Sequence, residues 1–193
     1  EMCIRDSYYY YNTYYGGTSG AGFPTSDELS MGGGHGQHFS NTGCGAGGNG
    51  IYDGPGTGVY QVIGCIYQEY LGLGEANSFL GFPTYDETDA PGGGRVNYFG
   101  GTTWGSHCGT VGPYNSYGAI FWTGGSGAHE VHGCIYDAYL HQFGGTGGWL
   151  GYPIYDQADP YVGGHVQQFQ HGYICDVNGN ISAYSNNVYP APC

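Results

Sequence analysis

Carboxylates stand at three matching places in the chain: Asp27/Glu28, Asp86/Glu87 and Asp156. A pair of carboxylates is what glycoside hydrolysis uses, and clustered oxygens can also hold calcium. Histidines offer a second chemistry, since His35 and His38 share GGGHGQHF and His129 and His132 share GAHEVHGC. Placement argues against both. The acidic group recurs after the same proline turn each time, so it is expected to cap backbone amides rather than to catalyse. Arg95 and His165 take the place of His35, and Tyr60 that of His129. That pattern suits half-exposed hydrogen-bonding positions better than metal ligands. No G-x-S-x-G elbow, H-E-x-x-H pair or lysine-bearing phosphate loop is present. We therefore expect a protein that is not an enzyme and uses no cofactor and no metal.

Aromatic rings beside glycine and polar residues suit carbohydrate, because a flat ring stacks on a sugar face while amides and carboxylates hold hydroxyls. Tyr52, Trp104 and Trp122 are the glycan-contact candidates, whereas Trp149, just before an LGYP turn, is expected in the core. Asn180, in the N-x-S/T sequon NIS, is the glycosylation candidate.

The elements that must position these residues come in repeats. GFPTSDE begins at Gly22, LGFPTYDE at Leu80 and LGYPIYDQ at Leu150. Each is followed by a glycine cluster ending in an aromatic (32–39, 92–99, 163–169), then by Cys44, Cys108 or Cys175. An Ile-led stretch comes next (51–65, 120–134, 181–193) and ends in Cys65, Cys134 or Cys193. Its alternation around a glycine-rich centre predicts a β-hairpin. CIYQEYL and CIYDAYL put Ile66/Tyr70 and Ile135/Tyr139 at i, i+4, which predicts a two-turn helix stopped by Gly72 and Gly144. Such a unit cannot bury a core alone, so the units must pack on one another.

These motifs, with GGG…YF and IFWTGGSGAHEVHGCI, resemble the LGFP repeat family over nearly the whole chain. The resemblance implies a secreted or cell-envelope protein, attachment to wall polysaccharide and a propeller-like ring of repeats. The expected fold is α+β: a ring or array of about three small units, each a β-hairpin plus a short helix with Gly-rich turns. The boundaries read as residues 1–21 for an N-terminal half-repeat, 22–79 for repeat 1, 80–149 for repeat 2, and 150–193 for repeat 3 lacking its helix.

Repeat equivalence sorts the cysteines into the pairs Cys44–Cys65, Cys108–Cys134 and Cys175–Cys193, one staple per unit. The rival reading, tetrahedral zinc, lacks a C-x₂₋₄-C spacing. Cys3 is left over, unpaired or inter-subunit. CIRDSYYYY nevertheless aligns with CIYDAYL, placing Ile4 and Tyr8 where Ile135 and Tyr139 stand. The first segment is thus read as a helix that either closes a ring within one molecule or completes the last unit of a neighbour. In the second case Ile4, Tyr8, Tyr9, Tyr10 and Tyr11 are the assembly candidates.

Composition narrows the partners. Across 193 residues Leu, Ile, Val and Phe number only 32, against 22 Tyr and 42 Gly. So lean a core needs covalent staples, and disulfides imply an oxidising, extracellular setting. The net charge of −13 with two basic residues excludes phosphate-backbone binding, and no long apolar run inserts in a membrane. The expectation is a secreted, non-catalytic structural or adhesive protein at the cell surface or beyond. It would assemble head to tail into an extracellular filament of copies of itself. The alternatives are a monomeric polysaccharide-binding module and, more remotely, a glycan-active enzyme.

Overall fold

The computed structural model describes residues 3–41, 48–100, 118–161 and 164–186. The chain opens with helix α1 (Cys3–Thr13) and a four-residue helix α2 (Gly17–Gly20). Strands β1 (Leu29–Met31), β2 (Gly34–Phe39), β3 (Asn49–Gly54) and β4 (Gly58–Ile63) follow, then helix α3 (Gly64–Leu73). The pattern recurs as β5 (Thr88–Ala90), β6 (Gly94–Phe99), β7 (Gly118–Thr123), β8 (Gly127–His132) and helix α4 (Gly133–His141). It recurs again as β9 (Ala158–Tyr161), β10 (Gly164–Phe169), β11 (Gly172–Val177) and β12 (Asn180–Ser185). The chain divides into two compact units, Glu1–Glu87 with Asn97–Gly101, and Thr88–Val96 with Thr102–Cys193.

Each repeat is a four-stranded antiparallel meander, ordered β1-β2-β3-β4, β5-β6-β7-β8 and β9-β10-β11-β12, and none closes into a barrel. In the first two repeats the predicted hairpin is therefore only half of the sheet, whereas in the third the hairpin spans 172–185 and not 181–193, because Ile174 rather than Ile181 stands where Ile51 and Ile120 do. The glycine cluster before it is a second hairpin: Gly32 (φ 54°) and Gly33 (φ 86°) turn β1 onto β2, and Gly92 (φ 89°) and Gly93 (φ 85°) turn β5 onto β6. Two positive-φ residues give the turn whose twist matches the flanking strands, and glycine adopts them without strain.

Both predicted helices form. Each begins at a glycine of positive φ, Gly64 or Gly133, immediately after an extended residue. The predicted stop at Gly72 is overturned, because α3 continues to Leu73 and ends at Gly74 (φ 100°), whose amide bonds Tyr70 and Leu71 carbonyls. Gly72 faces open space, so nothing there halts the helix.

α1 is a helix too, but its register is not the predicted one. Tyr70 and Tyr139 are fully buried and donate their hydroxyls to Gly81 O and Gly151 O at 2.6 Å. Tyr11, not Tyr8, makes the equivalent bond, to Gly22 O at 2.7 Å. The glycine pair that ends the helix run, Gly16–Gly17, fixes this register, and three more residues separate it from Cys3 than separate Gly144 from Cys134. Tyr10, Tyr11 and Tyr15 pack on the core of Ala21, Phe39, Ile51 and Val59, whereas Tyr8 is 67% exposed. The opening segment is thus docked on the first sheet of its own chain.

Candidate functional site

The geometry that repeats most faithfully is the turn. The backbone amides of Ser40, Gly100 and Gln170 each donate 2.9 Å bonds to the carbonyls of Phe23, Phe82 and Tyr152. Thr25, Thr84 and Ile154 return amide bonds to His38, Tyr98 and Gln168 at 2.9–3.0 Å. The side-chain amides of Gln37, Asn97 and Gln167 donate to the carbonyls of Ser26, Tyr85 and Tyr155. The helix tyrosine locks the other side, with Tyr11, Tyr70 and Tyr139 lying 4.9, 4.6 and 4.5 Å from Phe39, Phe99 and Phe169. Each turn is thereby fixed to the sheet that follows it in sequence, leaving its own aromatic to point elsewhere.

Twice that aromatic enters a slot in the preceding sheet. Phe82 is 7% exposed and lies against Gly32, Gly34 and Gly54; a Cβ on Gly34 would stand 2.7 Å from its ring and 2.2 Å from Asp53 O. Tyr152, 3% exposed, fills the equivalent place over Gly92 and Gly94. Its hydroxyl donates to Pro91 O (2.6 Å) and accepts from Gly94 N (3.0 Å). Glycine is needed at 34 and 94, because a Cβ there would enter the ring's volume and stand 2.2 Å from a backbone carbonyl.

The turn aspartate makes a second tie. Asp86 Oδ1 accepts the Gln61 amide on edge strand β4 (2.8 Å) and the Tyr15 hydroxyl (2.8 Å). Asp156 Oδ1 accepts the Glu130 amide on edge strand β8 (3.4 Å) and faces His129 Nδ1 at 3.0 Å. These carboxylates cap the open edge of a sheet, where unpaired amides would otherwise invite another strand. The expected capping role thus falls on a neighbouring strand rather than on the turn's own backbone.

The first turn differs. Phe23, tied to its sheet like Phe82 and Tyr152, is 67% exposed. Asp27 is exposed, and its carboxylate has no partner among the described residues. With Tyr8, Tyr9 (54%) and Tyr14 (64%) this leaves an aromatic, acidic surface on the first unit. Tyr14 crowds Tyr9, the rings 5.9 Å apart, and its charge and hydrogen bonding raise the Tyr9 pKa above the ordinary phenol value. Beside it opens a cleft of about 450 Å³ lined by Tyr14, Tyr15, Asn41, Asn49 and Gln61.

A polar trio lies in the same unit, with Tyr52 and Glu75 buried and His38 half-buried. Glu75 Oε1 accepts from Tyr52 Oη (3.1 Å) and lies 2.8 Å from His38 Nε2. Burial, then the Glu75 charge, holds the phenols of Tyr52 and Tyr70 well above their usual pKa and pushes Tyr67 up to about 12. The folded protein keeps these protons while unfolded tyrosine loses its own near pH 10. Their contribution is therefore fully present below about pH 10 and lost as pH rises toward the folded values. Denaturant midpoints are expected to be flat up to that point and to fall steeply between about pH 10 and 12; an unchanged midpoint across that window would refute the assignment.

Several predicted site residues change standing. Tyr52 is fully buried, so it cannot stack on a sugar; β3 is covered on both faces, and its ring meets Tyr70 edge-on at 5.2 Å. Trp149, expected in the core, is 47% exposed, with one edge over Gly172 and Phe143 6.5 Å away. Trp122 is half-buried on β7. Asn180 is exposed at the start of β12, its side-chain amide on Val177 O at 3.1 Å. Tyr9 is exposed on α1, and Tyr10 and Tyr11 are half-buried against the first sheet. Trp104, Cys44, Cys108, Cys193 and the side chains of Cys3 and Ile4 lie outside the described residues. His35, Arg95 and His165 each meet an acid, Glu28, Asp89 and Asp159 respectively, which explains why arginine can replace histidine there. Among the described residues no His/Cys/Asp/Glu group of three or more is arranged to hold a metal ion, and no helix is long and apolar enough to cross a membrane.

Sequence reasoning missed the slot for the turn aromatic, although Gly34, Gly94 and Gly164 recur at one place in every glycine cluster. No curated protein matches the chain. A family model described as LGFP repeat matches residues 22–78 and 80–147, the two stretches that carry the LGFP-type turns and their sheets. Spanning well over half of the sequence, that match places the chain in the LGFP repeat family.

Proposed function

We propose that the chain is a secreted, non-catalytic structural repeat protein that joins copies of itself head to tail into an open array. One observation carries the reading: Phe23 is held by the same backbone bonds as Phe82 and Tyr152, yet it is 67% exposed where they are 7% and 3%. Solvating a ring that the fold aims into a slot forgoes about 2 kcal/mol of burial. A second copy can supply that slot, and heterologous contacts that do not close build filaments. The extracellular setting is supported by Cys65, Cys134 and Cys175 being disulfide-bonded, a state that persists in oxidising compartments. We take their partners to be Cys44, Cys108 and Cys193.

Electron microscopy and sedimentation of the purified chain test this. Phe23→Asp lies on the surface and should leave the thermal transition in place while abolishing assembly. Fibres of unchanged length and yield from Phe23→Asp would overturn the reading.

The cleft beside Tyr14 favours a second reading, polysaccharide binding, because an exposed ring and the Asn41 and Gln61 amides are what a sugar face and its hydroxyls require. Retention of wild type but not Tyr14→Ala on immobilised polysaccharide would support it; equal passage of both would end it.

A further inference from the structure

We infer that the partner surface for the exposed first turn is the outer edge of β12 in a second copy of this chain, met in the register in which the later turns meet β4 and β8. This rests on the head-to-tail reading and adds the surface and the register to it.

The register follows from what the chain does twice internally. The aspartate four residues after the turn aromatic caps an amide on the last strand of a sheet, Gln61 for Asp86 and Glu130 for Asp156. Gln61 lies opposite Ile51 and Glu130 opposite Ile120. Both stand three rungs from the hairpin end, which is Gly54↔Gly58 in one sheet and Thr123↔Gly127 in the other. In an antiparallel ladder, alternate residues turn their amides away from the partner strand, and the capped residues are of that kind.

The third sheet has the same plan. β12 stands at its edge as β4 and β8 stand at theirs. Its hairpin closes at Val177↔Asn180, and three rungs in lies Ala183 opposite Ile174, a fully buried residue like Ile51 and Ile120. Parity turns the Ala183 amide away from β11, and Gly164 holds the place of Gly34 and Gly94, the position where a Cβ would meet the ring and a backbone carbonyl, while Val162 and Val177 hold those of Gly32 and Gly54.

The other half of the contact is displayed at the first turn. Asp27 follows Phe23 by four residues, as Asp86 follows Phe82 and Asp156 follows Tyr152. One chain thus carries both a turn with an exposed ring and carboxylate and an edge with the amide that suits them. The tie needs no cation, which matters in a chain with two basic residues and a charge of −13.

Asp27→Cys and Ala183→Cys, each made in a Cys3→Ser background, test this when mixed and treated with a short bis-maleimide. Ser182→Cys, at an exposed neighbouring position, repeats the measurement should Ala183→Cys fold poorly. A product of twice the chain mass is expected in the mixture and in neither variant alone, and Phe23→Asp should remove it. Filaments that persist in the mixture without this product would overturn the register while leaving head-to-tail assembly standing. A chain that stays monomeric at every concentration would overturn assembly itself, and this contact with it.

Discussion

Replacing Tyr70 or Tyr139 with alanine is expected to lower the unfolding free energy by about 4–5 kcal/mol, the upper range for deleting a buried aromatic. Each ring is fully buried between two others: Tyr70 between Tyr52 (5.2 Å) and Phe99 (4.6 Å), and Tyr139 between Phe121 (5.4 Å) and Phe169 (4.5 Å). Truncation removes both aromatic contacts, leaves a cavity in a core poor in aliphatics, and strips the carbonyl of Gly81 or Gly151 of its donor. Phenylalanine at either position keeps the ring and loses only the hydroxyl, for about 1–2 kcal/mol. A whole domain is stable by about 5–15 kcal/mol, so the alanine variants should be close to unfolding at ambient temperature. Urea titrations decide the matter: Tyr70→Ala within about 1 kcal/mol of wild type would refute the central place given to this ring. The same titrations check the register of α1. Tyr11→Ala should cost more than Tyr8→Ala, whose ring is exposed and whose loss should stay within about 0.5 kcal/mol; the reverse order would restore the sequence alignment on Cys3.

That misplaced register shows what the sequence carried and what it did not. The three LGFP-type turns, the first two Ile-led hairpins and the two later helices are local patterns, set by proline, glycine and i, i+4 spacing, and they were legible, whereas the hairpin at each glycine cluster and the place of the third Ile-led hairpin were not. Tyr11 was not, because the alignment was anchored on Cys3, whereas the fold anchors the helix at its other end, through Gly16–Gly17 and the Gly22 carbonyl. Tyr52 was misread for a related reason. Alternation marks an exposed face only when one side of a strand is solvated, and β3 is covered on both sides by rings from outside its own sheet. The candidate surface was the least legible part, since it consists of positions whose equivalents are buried. Phe23 and Asp27 look like any other copy of the motif until the exposure of each copy is compared.

Glu75 carries the second large effect, and its sign depends on two opposing terms. It has φ 56°, the left-handed region, where the equivalent residues are Gly17 (φ 55°) and Gly145 (φ 60°). A non-glycine residue there costs about 1–3 kcal/mol. Opposing this, its carboxylate accepts from the Tyr52 hydroxyl and lies 2.8 Å from His38 Nε2, and a hydrogen bond to a charged group contributes about 1.5–3 kcal/mol. The second repeat has Phe121 and Tyr98 at the positions equivalent to these partners, neither of which offers what Tyr52 and His38 offer a glutamate. Glu75→Ala keeps the backbone strain and orphans the buried Tyr52 hydroxyl, and is expected to cost about 3 kcal/mol. Glu75→Gly relieves the strain and should cost about 1 kcal/mol less. Adding Tyr52→Phe to Glu75→Gly removes the orphaned hydroxyl and rebuilds two of the second repeat's three residues, so it should recover about 1 kcal/mol more, whereas Tyr52→Phe alone destabilises. Chemical denaturation of the four variants reads the cycle directly. If Glu75→Ala proves no worse than Glu75→Gly, or Tyr52→Phe destabilises equally in both backgrounds, the strained glutamate is not held in place by its two partners.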